Sequence, residues 1–198
     1  MILDLLKKRE SVRRFSSERV SKDTIKRILE AGRLAPSGGN EQSWKFGVIT
    51  DRNLIDKITE LAYGQKWMGS ASFLIVLCTG IVEKERGGRD ILISRFPELK
   101  AQVLDMPEQL YAALAMEENQ TKIPGTQMML AALEEGIGST WVSYFQVQPL
   151  NRLLNLPQGW TSSEILVFGY PDQQKGMKPK KPIEDLIFWN VCGGEDEG

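Results

Sequence analysis

The residues best suited to chemistry begin close to the start of the chain. The segment RESVRRF, residues 9–15, sets two guanidinium groups and a hydroxyl, those of Arg9, Ser11 and Arg13, at alternate positions. In an extended segment, alternate side chains point to the same side, so these three groups can bind one anion together. Arginine forms strong, charge-assisted hydrogen bonds with phosphate. This first motif therefore predicts a binding site for a phosphorylated ligand.

A second polar segment lies one predicted helix further along the chain. Its sequence is APSGGNEQSW, residues 35–44. Proline and glycine in this arrangement stop a helix and form a tight turn that presents backbone N–H donors. The amides of Asn40 and Gln42 stand beside the ring of Trp44. This second motif suits a flat, polar ligand, although a turn that only ends a helix uses the same residue types.

Composition excludes several classes of protein. The 198 residues are 41% hydrophobic and 26% charged, which is typical of one globular domain. The net charge is −1, and no basic stretch is interleaved with aromatic residues, so we expect no nucleic-acid partner. The longest apolar run, Phe73 to Cys78, is too short for a membrane span. The first residues place their charge after an apolar stretch, the reverse of a signal peptide, which predicts a cytoplasmic protein.

The chain contains no histidine, which excludes histidine-dependent triads, histidine metal sites and the commonest general base. Cys78 lies in the apolar run and Cys192 in the polar tail, so the two cysteines do not form a redox or zinc spacing. Chemistry near neutral pH must therefore come from a cofactor or from less usual side chains. No metal site is expected.

Periodicity predicts a mixture of helices and strands. Helices are expected after Ser21, after Asp51, from Pro124 to Gly136 and from Pro149, and strands at 44–50, 73–79, 139–145 and 164–170. Because the two types do not alternate strictly, the predicted class is α+β. We expect a single domain over 1–192 and an acidic tail at 193–198.

The segment 80–122 is predicted to leave this core. Gly87-Gly88, Pro97 and Pro107 break it into short pieces, which is typical of a lid over a site. Arg86, Arg89 and Arg95 cluster early in it, and we expect them to form a solvated face.

The first motif, a helix and then the second motif, in this order and spacing, resemble the FMN-dependent nitroreductase family. The likeness continues at 127–132, 136–143, 156–157, 168–171 and the lysine-rich end, and leaves only 80–122 without a clear match. The resemblance implies an α/β sandwich, with a central mostly antiparallel sheet flanked by helices. It also implies an intertwined homodimer with two FMN molecules at the interface.

The resemblance assigns roles to particular residues. Arg9, Ser11 and Arg13 would contact the phosphate, ribityl chain and pyrimidine edge of FMN. From the partner chain, Pro36, Ser37 and Gly38 would line the ring, with Asn40 and Gln42 nearby. Lys180 stands where the family has an arginine for the phosphate, and lysine binds phosphate as a point charge. The cofactor-binding candidates are Arg9, Glu10, Ser11, Arg13, Pro36, Ser37, Gly38, Asn40, Gln42, Val142, Ser143 and Lys180.

Ser143 is also the catalytic candidate. In the deiodinase-like and flavin-cleaving branches of the family, a hydroxyl at the matching position bonds flavin N5, which favours one-electron steps. A hydroxyl that faces its own strand is the simpler alternative. The flavin-cleaving branch has an acid where this chain has Ser11, and 80–122 lacks a clear match to the acid, tyrosine and lysine of the deiodinases. Trp67 and Trp141 could flank the ring or pack in the core.

The resemblance implies an FMN-dependent oxidoreductase. NADH or NADPH would reduce the flavin and leave, and an electron-poor acceptor such as a nitroaromatic or a quinone would then be reduced, in a ping-pong mechanism. Three alternatives stay open: a reductive dehalogenase-like flavoprotein, a flavin carrier or sensor with little turnover, and a dimer of this fold that has lost the cofactor.

Overall fold

The computed structural model describes residues 2–80, 89–107, 110–111, 116–173, 176–188, 190 and 192 of the protein. Its helices are α1 Ile2–Lys8, α2 Lys22–Arg33, α3 Arg52–Leu61, α4 Arg89–Arg95, α5 Lys100–Asp105, α6 Met116–Glu134 and α7 Val147–Leu153. Its strands are β1 Trp44–Ile49, β2 Phe73–Gly80, β3 Gly138–Val142 and β4 Trp160–Gly169. The expectations for Arg86, for the glycines at 87 and 88 and for the tail at 193–198 lie outside the described residues.

The four strands form one antiparallel sheet in the order β1-β2-β4-β3. Trp44 of β1 lies opposite Thr79 of β2, and Val142 of β3 lies opposite Ile165 of β4. Every residue of the central strand β2 is buried, as its continuous apolar sequence predicts. In this strand order, β1 and β3 form the two edges of the sheet.

Two apolar clusters cover the two faces of this sheet. Side chains of β2 alternate between them: Phe73, Ile75 and Leu77 pack with α2 and α6, whereas Leu74, Val76 and Cys78 pack with α3 and α7. Helices on both faces of an antiparallel sheet make an α+β sandwich, which confirms the predicted fold class.

Local signals fix where the helices begin. The Ser21 hydroxyl accepts the Thr24 N–H at 3.1 Å at the start of α2, and an Asp51 oxygen accepts the Leu54 N–H at 2.8 Å at the start of α3. These N-terminal caps satisfy donors that a helix leaves unpaired in its first turn. Both predicted helix starts are confirmed.

Four predicted boundaries are wrong by two residues or more. Helix α7 begins at Val147 rather than at Pro149, which lies in its first turn. Helix α6 begins at Met116 rather than Pro124, which lies inside the helix, although Gly136 ends it as predicted with a φ of 74°. Strand β3 ends at Val142 rather than Phe145, because hydrogen bonds to Tyr144 and Gln146 from outside the sheet turn the chain away. Strand β4 begins earlier than predicted, at Trp160.

The first motif lies along the outer edge of β3. Ser11 and Ser139 form a parallel bridge, and the Val12 N–H donates to the Ser139 carbonyl at 3.0 Å. Further on, Phe15 bridges Pro171. This motif therefore acts as a short additional strand, with Val12 and Phe15 buried.

A pair of glycines permits this close approach. Gly138 and Gly169 lie opposite each other in the β3–β4 ladder. A Cβ on Gly138 would lie 2.6 Å from Val12 Cγ2, and a Cβ on Gly169 would lie 2.8 Å from Phe15 Cδ1. Neither distance is tolerable, so only glycine at both positions lets Val12 and Phe15 pack against the sheet.

We predict that Gly169→Ala destabilises the protein by about 1–3 kcal/mol, or roughly 2–12 °C in Tm, because the methyl group overpacks the Phe15 site. Thermal unfolding followed by circular dichroism measures the change. Gly47→Ala in β1 is the matched control, since its Cβ would meet Val76 at an ordinary contact distance of 3.5 Å. Equal Tm values for the two variants would contradict the prediction.

Candidate functional site

A cleft of about 740 Å³ runs between the first motif and the chain that follows β4. Residues 9–14 form one wall, and Gln173 with residues 176–180 forms the other. The structure thus brings together five of the candidate residues, Arg9, Glu10, Ser11, Arg13 and Lys180. A cavity of this size is within the range for small-molecule and cofactor sites.

Positive charge dominates the cleft. Arg9, Arg13, Lys178 and Lys180 line it, and Arg14 joins them with its Nε 3.2 Å from a carboxylate oxygen of Asp172. Converging cations in a concave site attract an anion and hold it by charge-assisted hydrogen bonds. The chemistry of the cleft therefore suits a phosphate or another compact anion.

Arg13 connects the cleft to the end of β3. Its guanidinium carbon lies 5.8 Å from the centre of the Trp67 ring, within reach of a cation–π contact. In the turn before Trp67, Gln65 Nε2 donates to the Tyr144 carbonyl at 3.1 Å. Ser143 precedes Tyr144 and is exposed, so its hydroxyl stands at the end of β3.

Val142 and Trp141, the other two candidates near the end of β3, pack in the core. Val142 is buried and paired with Ile165, which makes its side chain part of the core. Trp141 packs in the cluster beneath α2 and α6, the core alternative of the two that the sequence left open.

Two tyrosines that the sequence analysis did not single out lie beside Ser143. Tyr63 and Tyr144 stack with ring centroids 4.3 Å apart and an interplanar angle of 26°. Tyr63 is 53% exposed and Tyr144 68% exposed, so the stack lies outside the core. Aromatic rings held together at the surface can stack on a flat ligand. In the sequence, only the Tyr63-Gly64 turn gave a signal for this tyrosine stack, because the contact between the rings joins distant parts of the chain.

The second motif forms an irregular turn directly before β1. Gly39, Asn40 and Gln42 have φ angles of 56°, 56° and 51°, in the left-handed region that glutamine rarely adopts. The Ser37 hydroxyl oxygen accepts the Gln42 N–H at 3.0 Å, which leaves the Ser37 proton available to a ligand. Pro36 precedes the turn and is exposed. Backbone held in such sparsely populated conformations is typical of binding loops.

Sheet order separates the two motifs within one chain. The second motif leads into β1, at one edge, whereas the first motif lies against β3, at the other. Four inter-strand spacings lie between Trp44 and Ser11, about 19 Å. None of the residues from Pro36 to Gln42 lines the cleft of the first motif.

A buried carboxylate on β4 was also missed. The Glu164 side chain is 4% exposed, and its Oε1 lies 3.5 Å from Lys122 Nζ on α6. Next to this pair, the hydroxyl oxygens of Thr121 and Ser163 are 2.9 Å apart. Within the described part of the chain, Glu164 Oε2 has no hydrogen-bond partner, so the Lys122 ion pair is the contact that offsets the desolvation of this carboxylate. These contacts therefore tie the first half of α6 to β4.

Arg89 corrects the expectation of a solvated arginine face. Its guanidinium donates to the Val103 carbonyl and, at 2.8 Å, to the Met106 carbonyl, and it lies 4.5 Å from the ring centre of Tyr111. Arg89 thus holds α4 against the chain after α5. Arg95 is exposed, as expected.

The described residues contain no cluster of histidine, cysteine, aspartate or glutamate that could hold a metal ion. Burial raises the pKa of the Cys78 thiol to about 12, so Cys78 stays protonated and unreactive near neutral pH. Of the helices in the described ranges, none combines the length and apolarity needed to cross a membrane.

Comparison with known proteins establishes the family. The profile of the nitroreductase family matches residues 6–170, so the chain belongs to that family. An Archaeoglobus fulgidus protein named "Putative NADH dehydrogenase/NAD(P)H nitroreductase" is 31% identical over 177 residues, 87% of each chain. The iodotyrosine deiodinase of Thermotoga neapolitana is 29% identical over 187 residues, 94% of this chain and 96% of that protein.

Solved structures share the fold. The NADPH:FMN oxidoreductase of Vibrio harveyi, solved in complex with NAD+, superposes with a TM-score of 0.75 at 19% identity and covers 98% of this chain and 79% of that one. The resemblance to the nitroreductase family and the predicted sandwich are both confirmed.

We predict that one thiol per chain reacts rapidly with DTNB in the native protein and that two react after unfolding. Cys192 is exposed and Cys78 is buried, with a pKa of about 12. Absorbance of the released thionitrobenzoate counts the thiols. The Cys192→Ser variant should release none while folded, and rapid native reaction of Cys78 in that variant would contradict the assignment.

Proposed function

We propose that this protein is an FMN-dependent NAD(P)H oxidoreductase that reduces electron-poor acceptors such as nitroaromatics or quinones by a ping-pong mechanism. The observation that carries the proposal is the cationic cleft, in which Arg9, Ser11, Arg13 and Lys180 converge. Membership of the nitroreductase family and the shared fold of the NADPH:FMN oxidoreductase of Vibrio harveyi support it.

The residues of the cleft fit FMN. The FMN phosphate carries nearly two negative charges, and the cleft offers separated guanidinium and ammonium groups with the volume for a mononucleotide. Bound FMN would supply reversible two-electron chemistry, which the arginine, lysine and serine side chains that line the cleft do not supply themselves.

Each candidate side chain then has a defined task. Arg9 and Lys180 would hold the phosphate, and the Ser11 hydroxyl would bond the ribityl chain. Arg13 lies between the cleft and Trp67, where its fixed charge favours the more negative, reduced form of a neighbouring ring. Ser143 presents an exposed hydroxyl at the end of β3 as a donor to N5 of that ring. Glu10 lies on the wall of the cleft beside these residues, and Val142 is buried in β3 directly before Ser143.

The complete site requires a second copy of the chain. Because the two motifs lie at opposite edges of the sheet, one chain does not close a single pocket with both. In a homodimer, the turn of one subunit would supply Pro36, Ser37, Gly38, Asn40 and Gln42 to the cleft of its partner. We therefore infer a homodimer with two equivalent, shared sites.

The stacked tyrosines support a planar acceptor. Tyr63 and Tyr144 expose aromatic faces next to Ser143, and such faces bind flat, electron-poor rings. Reductive dehalogenation of an aromatic compound is a second candidate activity. The exposed Ser143 hydroxyl and the similarity to the Thermotoga neapolitana deiodinase favour it.

Anaerobic spectroscopy tests the proposal. The purified protein should gain the visible flavin bands when FMN is supplied, lose them on addition of NADH or NADPH, and regain them with a nitroarene or a quinone. A yellow protein that neither nicotinamide bleaches would be a flavin carrier. A protein that remains colourless with FMN would refute cofactor binding, and recovery only with a halogenated aromatic would favour the second candidate.

We predict that Arg9→Met raises the Kd for FMN by about tenfold to a hundredfold, because a charge-assisted hydrogen bond to the phosphate is lost. Quenching of flavin fluorescence on titration with apoprotein measures the Kd. Arg33→Met removes an exposed arginine of α2 outside the cleft and controls for net charge. Similar affinities for both variants would show that Arg9 does not hold the phosphate.

We also predict that two inactive variants complement each other. One carries Arg9→Ala and Arg13→Ala, the other carries changes at Ser37 and Asn40, and each homodimer should bind FMN poorly. A purified heterodimer with two different affinity tags has one intact site and should bind about half the FMN of the wild type, as read from flavin absorbance per dimer. A heterodimer that binds no FMN would contradict sites shared between subunits.

A further inference from the structure

Three consecutive residues of α6 contact three different partners. Gln120 Oε1 accepts the Gly38 N–H of the second motif at 2.8 Å. Thr121 and Lys122 instead face β4, where they meet the Ser163 hydroxyl and the Glu164 carboxylate. This short stretch of helix therefore joins the second motif to the central part of the sheet.

The contacts with β4 fix the position of the Gln120 amide. Because the Glu164 side chain is 4% exposed and lies 3.5 Å from Lys122 Nζ, movement of this helical turn would separate a buried carboxylate from its cation. The Thr121–Ser163 hydrogen bond, at 2.9 Å, restrains the same turn of the helix. Gln120 is thus presented to the second motif from a rigid support.

The second motif needs an external restraint. Gly39, Asn40 and Gln42 all have left-handed φ angles, and glutamine adopts this region at a cost. Local hydrogen bonds such as Gln42 N–H to Ser37 Oγ join residues within the turn but do not orient it relative to the sheet. Besides its chain connections to α2 and β1, the turn is oriented by the Gly38–Gln120 hydrogen bond.

We propose that Gln120 is a positioning residue for flavin binding: by accepting the Gly38 N–H, it holds the Ser37–Gln42 turn in the conformation that the turn presents to FMN. This inference rests on the proposed function. It adds a residue outside both motifs, which acts through the turn. Without this acceptor, the turn can adopt other conformations. Ordering the turn on binding then lowers the affinity for FMN.

Hydrogen exchange and FMN titration together test this role. Gln120→Met preserves the length of the side chain and removes the acceptor, whereas Gln120→Glu retains an acceptor oxygen. Gln127→Met is the matched control, the same substitution later in the same helix. Exchange of the Gly38 amide, followed in apoprotein by NMR or mass spectrometry, reports the turn directly, and thermal unfolding reports global stability.

We expect faster exchange at Gly38 in Gln120→Met and a rise in the Kd for FMN of about fivefold, the value of one net hydrogen bond. Gln120→Glu and Gln127→Met should stay within about twofold of the wild type, as the first retains the acceptor and the second leaves the contact untouched. The Tm of all the variants should remain close to that of the wild type.

Three results would overturn the proposal. The first is unchanged exchange at Gly38 in Gln120→Met, and the second is faster exchange there with an unchanged Kd. The third is an equal loss of affinity in Gln120→Glu with exchange at Gly38 as slow as in the wild type, which would assign the effect to the lost NH2 group or the added charge and not to the order of the turn. If the wild type bound no FMN, the proposed function would fail, but the exchange measurement in apoprotein would still show whether Gln120 orders the turn.

Discussion

The close approach of the first motif to the sheet is the contact on which the candidate site depends. Gly138 and Gly169, paired across β3 and β4, leave room for Val12 and Phe15 to bury their side chains against the sheet. With Val12 buried, its neighbours Ser11 and Arg13 point away from the sheet and line the cleft, because successive side chains of an extended segment lie on opposite sides. Packing therefore sets the backbone position of the cations of the first motif before any ligand arrives. A preordered anion site costs the ligand less entropy.

Sheet order imposes the second constraint. The two motifs are close in sequence, but a helix and the strand order β1-β2-β4-β3 carry them to opposite edges. Each edge strand needs protection from unwanted pairing, and the first motif covers the outer edge of β3. The same backbone contact thus protects an edge and positions the arginines. At the other edge, the orientation of the second motif depends on α6 through Gln120, which places the two halves of the site under separate structural control.

Features set by local chemistry could be predicted from the sequence. The caps at Ser21 and Asp51, the buried strand β2 and the grouping of the first-motif cations follow from residue type and spacing. Features set by contacts between distant segments could not. β3 ends early because Gln65 bonds the Tyr144 carbonyl, and α6 extends before Pro124 into a segment that composition describes as broken. The Gly38–Gln120 bond joins residues 82 positions apart and has no signature in either sequence segment.

The distribution of reactive groups limits what the polypeptide itself can contribute. Histidine is absent, Cys78 is buried with a raised pKa, and the buried Glu164 is paired with Lys122. The groups that line the cleft are instead arginine and lysine side chains, the Ser11 hydroxyl and one carboxylate, that of Glu10. Ser143 presents a further hydroxyl at the end of β3. Such groups orient a ligand and stabilise its charge. Such a site favours chemistry supplied by a bound cofactor.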